Sequence, residues 1–202
     1  VIGVLMANIH NTTANQSINR IQYNTETLLE LPYAYARTHF SESNVELQYV
    51  KKISKTISEA FDKINYSCVQ KGIVHLDIWY DNMSISDTNE ITIFDFDFCG
   101  NGILISDVAY FCKQLFHIEN NKVDYEFKKE QFLQGYQTIR TLSNEEMELI
   151  PEAAAAIWIF YLGVQSQRFD WSNIFLTENY LKMYIGRLQS WMEYHELKLE
   201  KR

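Results

Sequence analysis

Glycine, proline and cysteine are scarce in this chain, and each scarcity excludes something. Only seven glycines and two prolines occur in 202 residues. The glycines are isolated apart from a single Gly100-Asn-Gly102 turn, so no glycine-rich loop exists to cradle phosphates. No repeat, low-complexity segment or interdomain linker is visible. The three cysteines, Cys68, Cys99 and Cys112, are odd in number and lack CxxC spacing. That argues for reduced thiols and a cytoplasmic protein. Basic residues are outnumbered, 18 Lys and Arg against 26 Asp and Glu, for a net charge of −8. Nonspecific nucleic-acid binding is therefore disfavoured. No apolar run approaches the ~18 residues of a membrane span, and no charged-then-apolar leader opens the chain.

What the chain does have is aromatic mass: four Trp, thirteen Tyr and twelve Phe within a hydrophobic content of 47%. That is ample for one core, and length alone fits one domain or one large lobe. Residues 1–10 carry Val1, Leu5 and Ile9 at helical spacing, with Val4 beside them, and Asn11 to Asn15 ends that helix. Residues 16–43 are polar and aromatic, a loop with short helical pieces broken at Leu31-Pro32. Residues 44–66 form a helix whose stripe is Val45, Tyr49, Ile53, Ile57 and Phe61. Ile73-Val74 is a short strand. Met83 to Ile85 and Ile91 to Phe94 alternate as a hairpin around Asp87-Thr-Asn89. Further helices are predicted from Ser106 to Phe116, over 124–140 with Phe127, Phe132, Leu133 and Tyr136 buried, and from Leu181 to Leu199. Ser143-Asn-Glu-Glu146 is a capping-box pattern. Pro151 to Val164 is almost wholly apolar but short, and reads as a central buried helix. The fold class expected is α+β and mainly helical.

The chemistry concentrates in one stretch. His75-Leu-Asp77-Ile-Trp-Tyr-Asp81-Asn82 is followed by Ile91-Thr-Ile-Phe-Asp95-Phe-Asp97. A His-x-Asp-x-x-x-x-Asn loop followed by a strand ending in Asp-Phe is the pair of elements with which kinases move the terminal phosphate of ATP to a hydroxyl. An acid at Asp77 can accept the acceptor's proton. The amide oxygen of Asn82 and the carboxylate of Asp95 are hard ligands suited to Mg2+.

With Asp107-Val108-Ala109, these residues resemble the aminoglycoside phosphotransferase and choline kinase superfamily of the protein-kinase-like fold. Its usual pattern is His-Gly-Asp-x-x-x-x-Asn, Ile-Asp-Phe-Asp/Glu and Asp-Leu-Ala. Leu76 stands where the family has Gly, and Val108 where it has Leu; neither position supplies reacting atoms. The C-terminal third, from Gln131 through Gln167-Arg168-Phe169 to Trp191, is similar to homoserine kinase and stress-response kinase members. The resemblance covers essentially the whole chain.

The resemblance implies the C-terminal lobe of a kinase-like fold over residues 1–202, with a small β-hairpin carrying the chemistry. The ATP-covering lobe, with its strand lysine and phosphate loop, would precede residue 1; the chain opens on Val rather than Met. It implies ATP and Mg2+ as cofactors, Asp77 as base, and Asn82 and Asp95 on the metal. Asp97 would contact a second metal or hold a nearby loop. His75 would brace the loop by hydrogen bonding, and Asp107 would anchor its backbone; Asp81 reads as a loop residue. Trp79 and Tyr80 lie inside the catalytic loop, where they can reach an acceptor. Arg168 would fork onto a carboxylate or phosphate of the acceptor, or pair internally with Asp170 or Glu152. Tyr33, Tyr35, Arg37, Trp158, Tyr161, Gln165 and Trp171 are further candidates by position, though aromatics at helical spacing are more often core. The acceptor would be a small-molecule hydroxyl (amino alcohol, homoserine-like, aminoglycoside or sugar) or a protein Ser/Thr. The alternative is a pseudokinase or regulatory lobe that binds without catalysis. No nucleic-acid or membrane partner is expected. A lobe without its N-terminal counterpart would expose apolar surface and tend to dimerise.

Overall fold

The computed structural model describes residues 1–88, 90–167 and 173–197. The expectations for Asn89 and for 168–172, including Arg168, Phe169, Asp170 and Trp171, lie outside the described residues. The helices are α1 (Ile2–Thr13), α2 (Leu31–Ala36), α3 (Val45–Asp62), α4 (Ile105–Ile118), α5 (Lys122–Gln137), α6 (Asn144–Gln167) and α7 (Glu178–Tyr194). The strands are β1 (Lys71–Val74), β2 (Met83–Ile85), β3 (Ile91–Ile93) and β4 (Gly100–Ile103). The class is α+β and mainly helical, as expected. Contacts divide the chain into two compact units, Val1–Gln22 with Asn65–Ile150, and Tyr23–Ile64 with Pro151–Arg202.

The first unit carries the four strands found among the described residues. They form two antiparallel pairs: β1 with β4 in the register Lys71↔Ile103 and Val74↔Gly100, and β2 with β3 in the register Met83↔Ile93 and Ile85↔Ile91. The predicted hairpin and the strand before His75 are both present. The Gly100-Asn-Gly102 turn is not; these residues are strand β4, paired along β1. Gly72, in β1, lies so close to the end of α1 that a Cβ there would sit 2.4 Å from the Thr13 carbonyl oxygen.

Helix α1 is where predicted but buries another face. Gly3, Met6, Ala7 and His10 are buried, whereas Val1 is 78% exposed. The reason is close packing on α5: a Cβ on Gly3 would lie 2.1 Å from the Phe132 carbonyl oxygen. The absence of a side chain at Gly3 is what lets the two backbones approach so closely. In α5, Tyr125 is buried and Phe127 is 63% exposed, reversing the predicted stripe at that turn. The capping box opens α6 as predicted. The Ser143 amide donates to Glu146 Oε2 (3.0 Å), and the Glu146 amide donates to Ser143 Oγ (3.1 Å).

The second unit is helical. The segment read as a loop with short helical pieces does contain such pieces, a π-helical turn, Glu26–Glu30, and α2; the break expected at Leu31-Pro32 is absent, because the turn runs into α2 with Pro32 in its first turn. The Leu31 amide still bonds the Glu26 carbonyl oxygen, and Pro32, which has no amide to donate, follows where the π-helical turn gives way to α2. Helix α3 buries Leu47, Val50, Ile53, Ile57 and Phe61, while Val45 is 73% exposed, so the stripe enters one residue pair later than its apolar sequence suggests. Trp158 is core, packed edge-on against Tyr184 and 2% exposed. Helix α6 is by length and composition apolar enough to cross a membrane, but 67% of its apolar window is buried inside the protein, as in a core helix.

Candidate active site

Everything described at the candidate site belongs to the first unit. Strand β1 delivers the chain to His75, and the hairpin β2–β3 returns it to Asp95. Between them, Asp107 in the first turn of α4 is fully buried and accepts both loop amides. The His75 amide donates to Oδ2 (2.9 Å) and the Leu76 amide to Oδ1 (2.6 Å). Oδ2 also meets His10 Nε2 from α1 at 3.1 Å. The other His10 ring nitrogen, Nδ1, meets the Tyr136 hydroxyl at 2.7 Å. A buried carboxylate with three partners is well satisfied, which is what allows it to sit in the core.

The bracing hydrogen bond expected of the His75 ring is not made. Both ring nitrogens are buried without a hydrogen-bond partner among the described residues, and the ring packs tilted against Phe96 at 4.7 Å between centroids. The loop is held through the His75 amide instead. Leu76 takes φ +60° and is fully buried. That left-handed conformation turns two successive amides onto one carboxylate, and it is the conformation glycine adopts without strain.

Asp77 is half-buried, and Asn82 and Tyr110 both reach it. Asn82 Nδ2 donates to its Oδ2 (2.8 Å) and to its carbonyl oxygen (2.9 Å). Tyr110, on α4, donates its hydroxyl to Oδ1 (2.5 Å). Gln114 Nε2 in turn donates to the Tyr110 hydroxyl at 3.1 Å. Nearby, Lys113 Nζ lies 4.7 Å from the Tyr110 ring centre and is itself buried. Sequence reasoning missed Tyr110 and Gln114. The signal was present: Tyr110 follows Asp107 by three residues, so both lie on one face of α4.

The site fits a divalent metal by donor chemistry. Both acceptors facing Asn82 Nδ2 are oxygens, so its nitrogen is committed to Asp77 and its Oδ1 is left free as a hard ligand. Asp95 is exposed, at φ +61° just after the hairpin, with Oδ1 facing the Asp97 amide at 3.4 Å. One amide oxygen and one carboxylate suffice for Mg2+, which keeps waters and takes phosphate oxygens. Among the described residues no cluster of three or more His, Cys, Asp or Glu forms a closed metal site. Asp97 is exposed and its carbonyl oxygen accepts from Arg20 Nη2 at 2.5 Å.

Trp79 and Tyr80 stack on each other at 4.4 Å, and both approach Phe111 of α4 edge-on. Tyr80 and Phe111 line a groove of about 360 Å³ together with Ile2, Ile85, Phe127 and Phe132. Cys99 lies beyond the Asp95 turn; burial raises its thiol pKa, and Arg20 opposes that rise.

Residues 2–142 match the profile of the phosphotransferase enzyme family. A homoserine kinase from Bartonella henselae is 26% identical over 173 residues, covering 85% of this chain and 52% of that protein. Among solved structures, an amicoumacin kinase in complex with AMP-PNP, Ca2+ and Ami superposes with a TM-score of 0.71 at 19% identity, over 98% of this chain and 61% of that one. A microcompartment-associated aminopropanol kinase gives a TM-score of 0.71 at 15% identity, over 98% of this chain and 63% of that one. The chain thus spans about half the length of that homoserine kinase and about three-fifths of these structures. At such identities the structures speak for the fold, and the profile, which takes in well over half of the residues, speaks for descent: the chain belongs to the phosphotransferase enzyme family.

Proposed function

We propose that this chain carries the catalytic loop of a kinase that transfers the terminal phosphoryl group of ATP to a hydroxyl of a small molecule. The observation that carries the reading is the constellation on one braced loop. Asp77 and Asn82 are hydrogen-bonded to each other, on a loop tied by two amides to the buried Asp107, and a hairpin leads from it to Asp95.

Asp77 orients the acceptor hydroxyl and takes its proton. Tyr110 and Asn82 fix the plane of the carboxylate, so little rotational freedom is left to lose on binding. Asn82 Oδ1 and Asp95 hold Mg2+, with Asp97 as a further ligand or a holder of the turn. The metal would neutralise charge building on the phosphate oxygens. Trp79 and Tyr80 contribute an aromatic wall on the acceptor side, suited to an amine-bearing substrate through cation–π attraction. The named relatives, kinases of homoserine and aminopropanol, favour an amino-alcohol type of acceptor over a protein serine.

The test is phosphate transfer from ATP to a panel of amino alcohols by the protein made from its native gene. Asp77→Asn is expected to lower kcat by about 10²-fold or more, the range of general-base contributions. Undiminished turnover in Asp77→Asn would reject the assignment of the base. Mg2+-dependent nucleotide binding without turnover of any acceptor would favour a regulatory binding lobe.

A further inference from the structure

The turn that carries Asp95 is held by a residue far away in sequence. Arg20 lies in an irregular segment between α1 and the second unit. Its Nη1 donates to the Phe96 carbonyl oxygen at 2.8 Å and its Nη2 to the Asp97 carbonyl oxygen at 2.5 Å. The planar guanidinium thus forks across two successive carbonyls directly after Asp95. The Phe96 carbonyl also accepts the Cys99 amide at 3.0 Å.

The segment bearing Arg20 is itself fixed. Asn101, buried in β4, accepts the Ile18 amide at 2.9 Å and donates to the Ile18 carbonyl at 2.9 Å. It also reaches the Arg20 and Ile21 carbonyls at 3.3 Å, and its amide donates to the Ile21 carbonyl at 2.8 Å. With the backbone on either side of Arg20 held by Asn101, the guanidinium is attached to a fixed point, and its two bonds tie the turn to that point.

From this we infer that Arg20 is a positioning residue for the metal site: it fixes the Phe96–Asp97 backbone so that Asp95 presents its carboxylate in the left-handed conformation at φ +61°. A non-glycine residue in that region persists only where its surroundings over-determine it. Arg20 supplies two of those constraints from a segment 76 positions away. The inference rests on the proposed role of Asp95 as a metal ligand.

The experiment is Mn2+ affinity measured by electron paramagnetic resonance with AMP-PNP present, on the protein from its native gene, alongside circular dichroism and thermal melts. Four variants are compared: Arg20→Gln, Arg20→Lys, Asp95→Ala, and Arg140→Ala as a same-unit control. Arg20→Gln is expected to weaken Mn2+ binding about tenfold or more, as loss of an outer-sphere partner does. Its melting temperature is expected to stay within the shift seen for Arg140→Ala. Arg20→Lys keeps the charge without the fork and is expected to bind several-fold more weakly while folding normally. Wild-type affinity in both Arg20 variants overturns the inference and leaves the metal assignment standing. Mn2+ binding that survives Asp95→Ala unchanged, or is absent from the wild type, overturns the metal assignment and the inference together.

Discussion

At the scale of single residues, the site depends on two left-handed backbones, Leu76 at φ +60° and Asp95 at φ +61°. The conformation of Leu76 is one that glycine adopts without strain, in keeping with the glycine of the pattern this loop resembles. The left-handed region costs an L-residue about 1–2 kcal/mol. Yet Leu76 is fully buried, and deleting a buried leucine side chain costs about 2–5 kcal/mol. Packing therefore outweighs strain. Leu76→Gly is expected to lower stability by about 1–3 kcal/mol, read as a shift in the urea midpoint with an unchanged slope; a more stable variant would mean that strain, not packing, dominates this position. Asp95 has no such burial to offset its strain, which is why its neighbours' carbonyls are clamped.

Elements are placed by how closely their backbones approach. Helix α1 lies on α5 at Gly3, where a Cβ would meet the Phe132 carbonyl oxygen at 2.1 Å and the Tyr136 amide nitrogen at 2.7 Å. That contact brings His10 between Tyr136 and Asp107. Gly135 in the same interface has room: a Cβ there would meet nothing nearer than 3.8 Å. The two glycines should therefore respond oppositely to alanine. Gly3→Ala forces backbone apart and is expected to cost about 1–3 kcal/mol or more. Gly135→Ala removes a helix-interior glycine and is expected to gain up to about 1 kcal/mol. Thermal denaturation of the pair decides it, and equal effects would contradict the packing described. The same reasoning makes Asp107 the junction of the unit, since α1 and the catalytic loop converge on one carboxylate of α4.

Across the whole molecule, two phenols held above their ordinary range are expected to make stability fall at alkaline pH. Burial pushes Tyr136 up from 10.0 to about 12, with Arg140 opposing. Burial, helped by Glu193, pushes Tyr49 up to about 12 as well. One lies in each unit. A folded pKa above the unfolded one means that the folded state binds more protons between the two values. The resulting stability is complete below about pH 10 and is lost as pH rises toward about 12. Melting temperature is expected to fall steeply over that window, with phenolate absorbance appearing together with unfolding. Tyr136→Phe should flatten part of the fall, and a melting temperature independent of pH from 10 to 12 would refute the account.

Much of the candidate site was readable because it is local. The five-residue spacing of Asp77 and Asn82 spans a single loop, and alternation in Met83–Ile85 and Ile91–Ile93 encodes a hairpin whose pairing needs only neighbouring residues. The sequence by itself thus determined the family, the mainly helical class and the order of the acidic groups along the chain. It did not determine which faces are buried: α1 hides Gly3 and Ala7 because of an α5 backbone more than a hundred residues away, and hydrophobic periodicity carries no record of that distance. Nor did it reveal Arg20, Tyr110 or His10, whose partners lie 76, 33 and 97 positions off. Hydrogen bonds of such span depend on where strands and helices finally meet, and that was decided by tertiary packing alone.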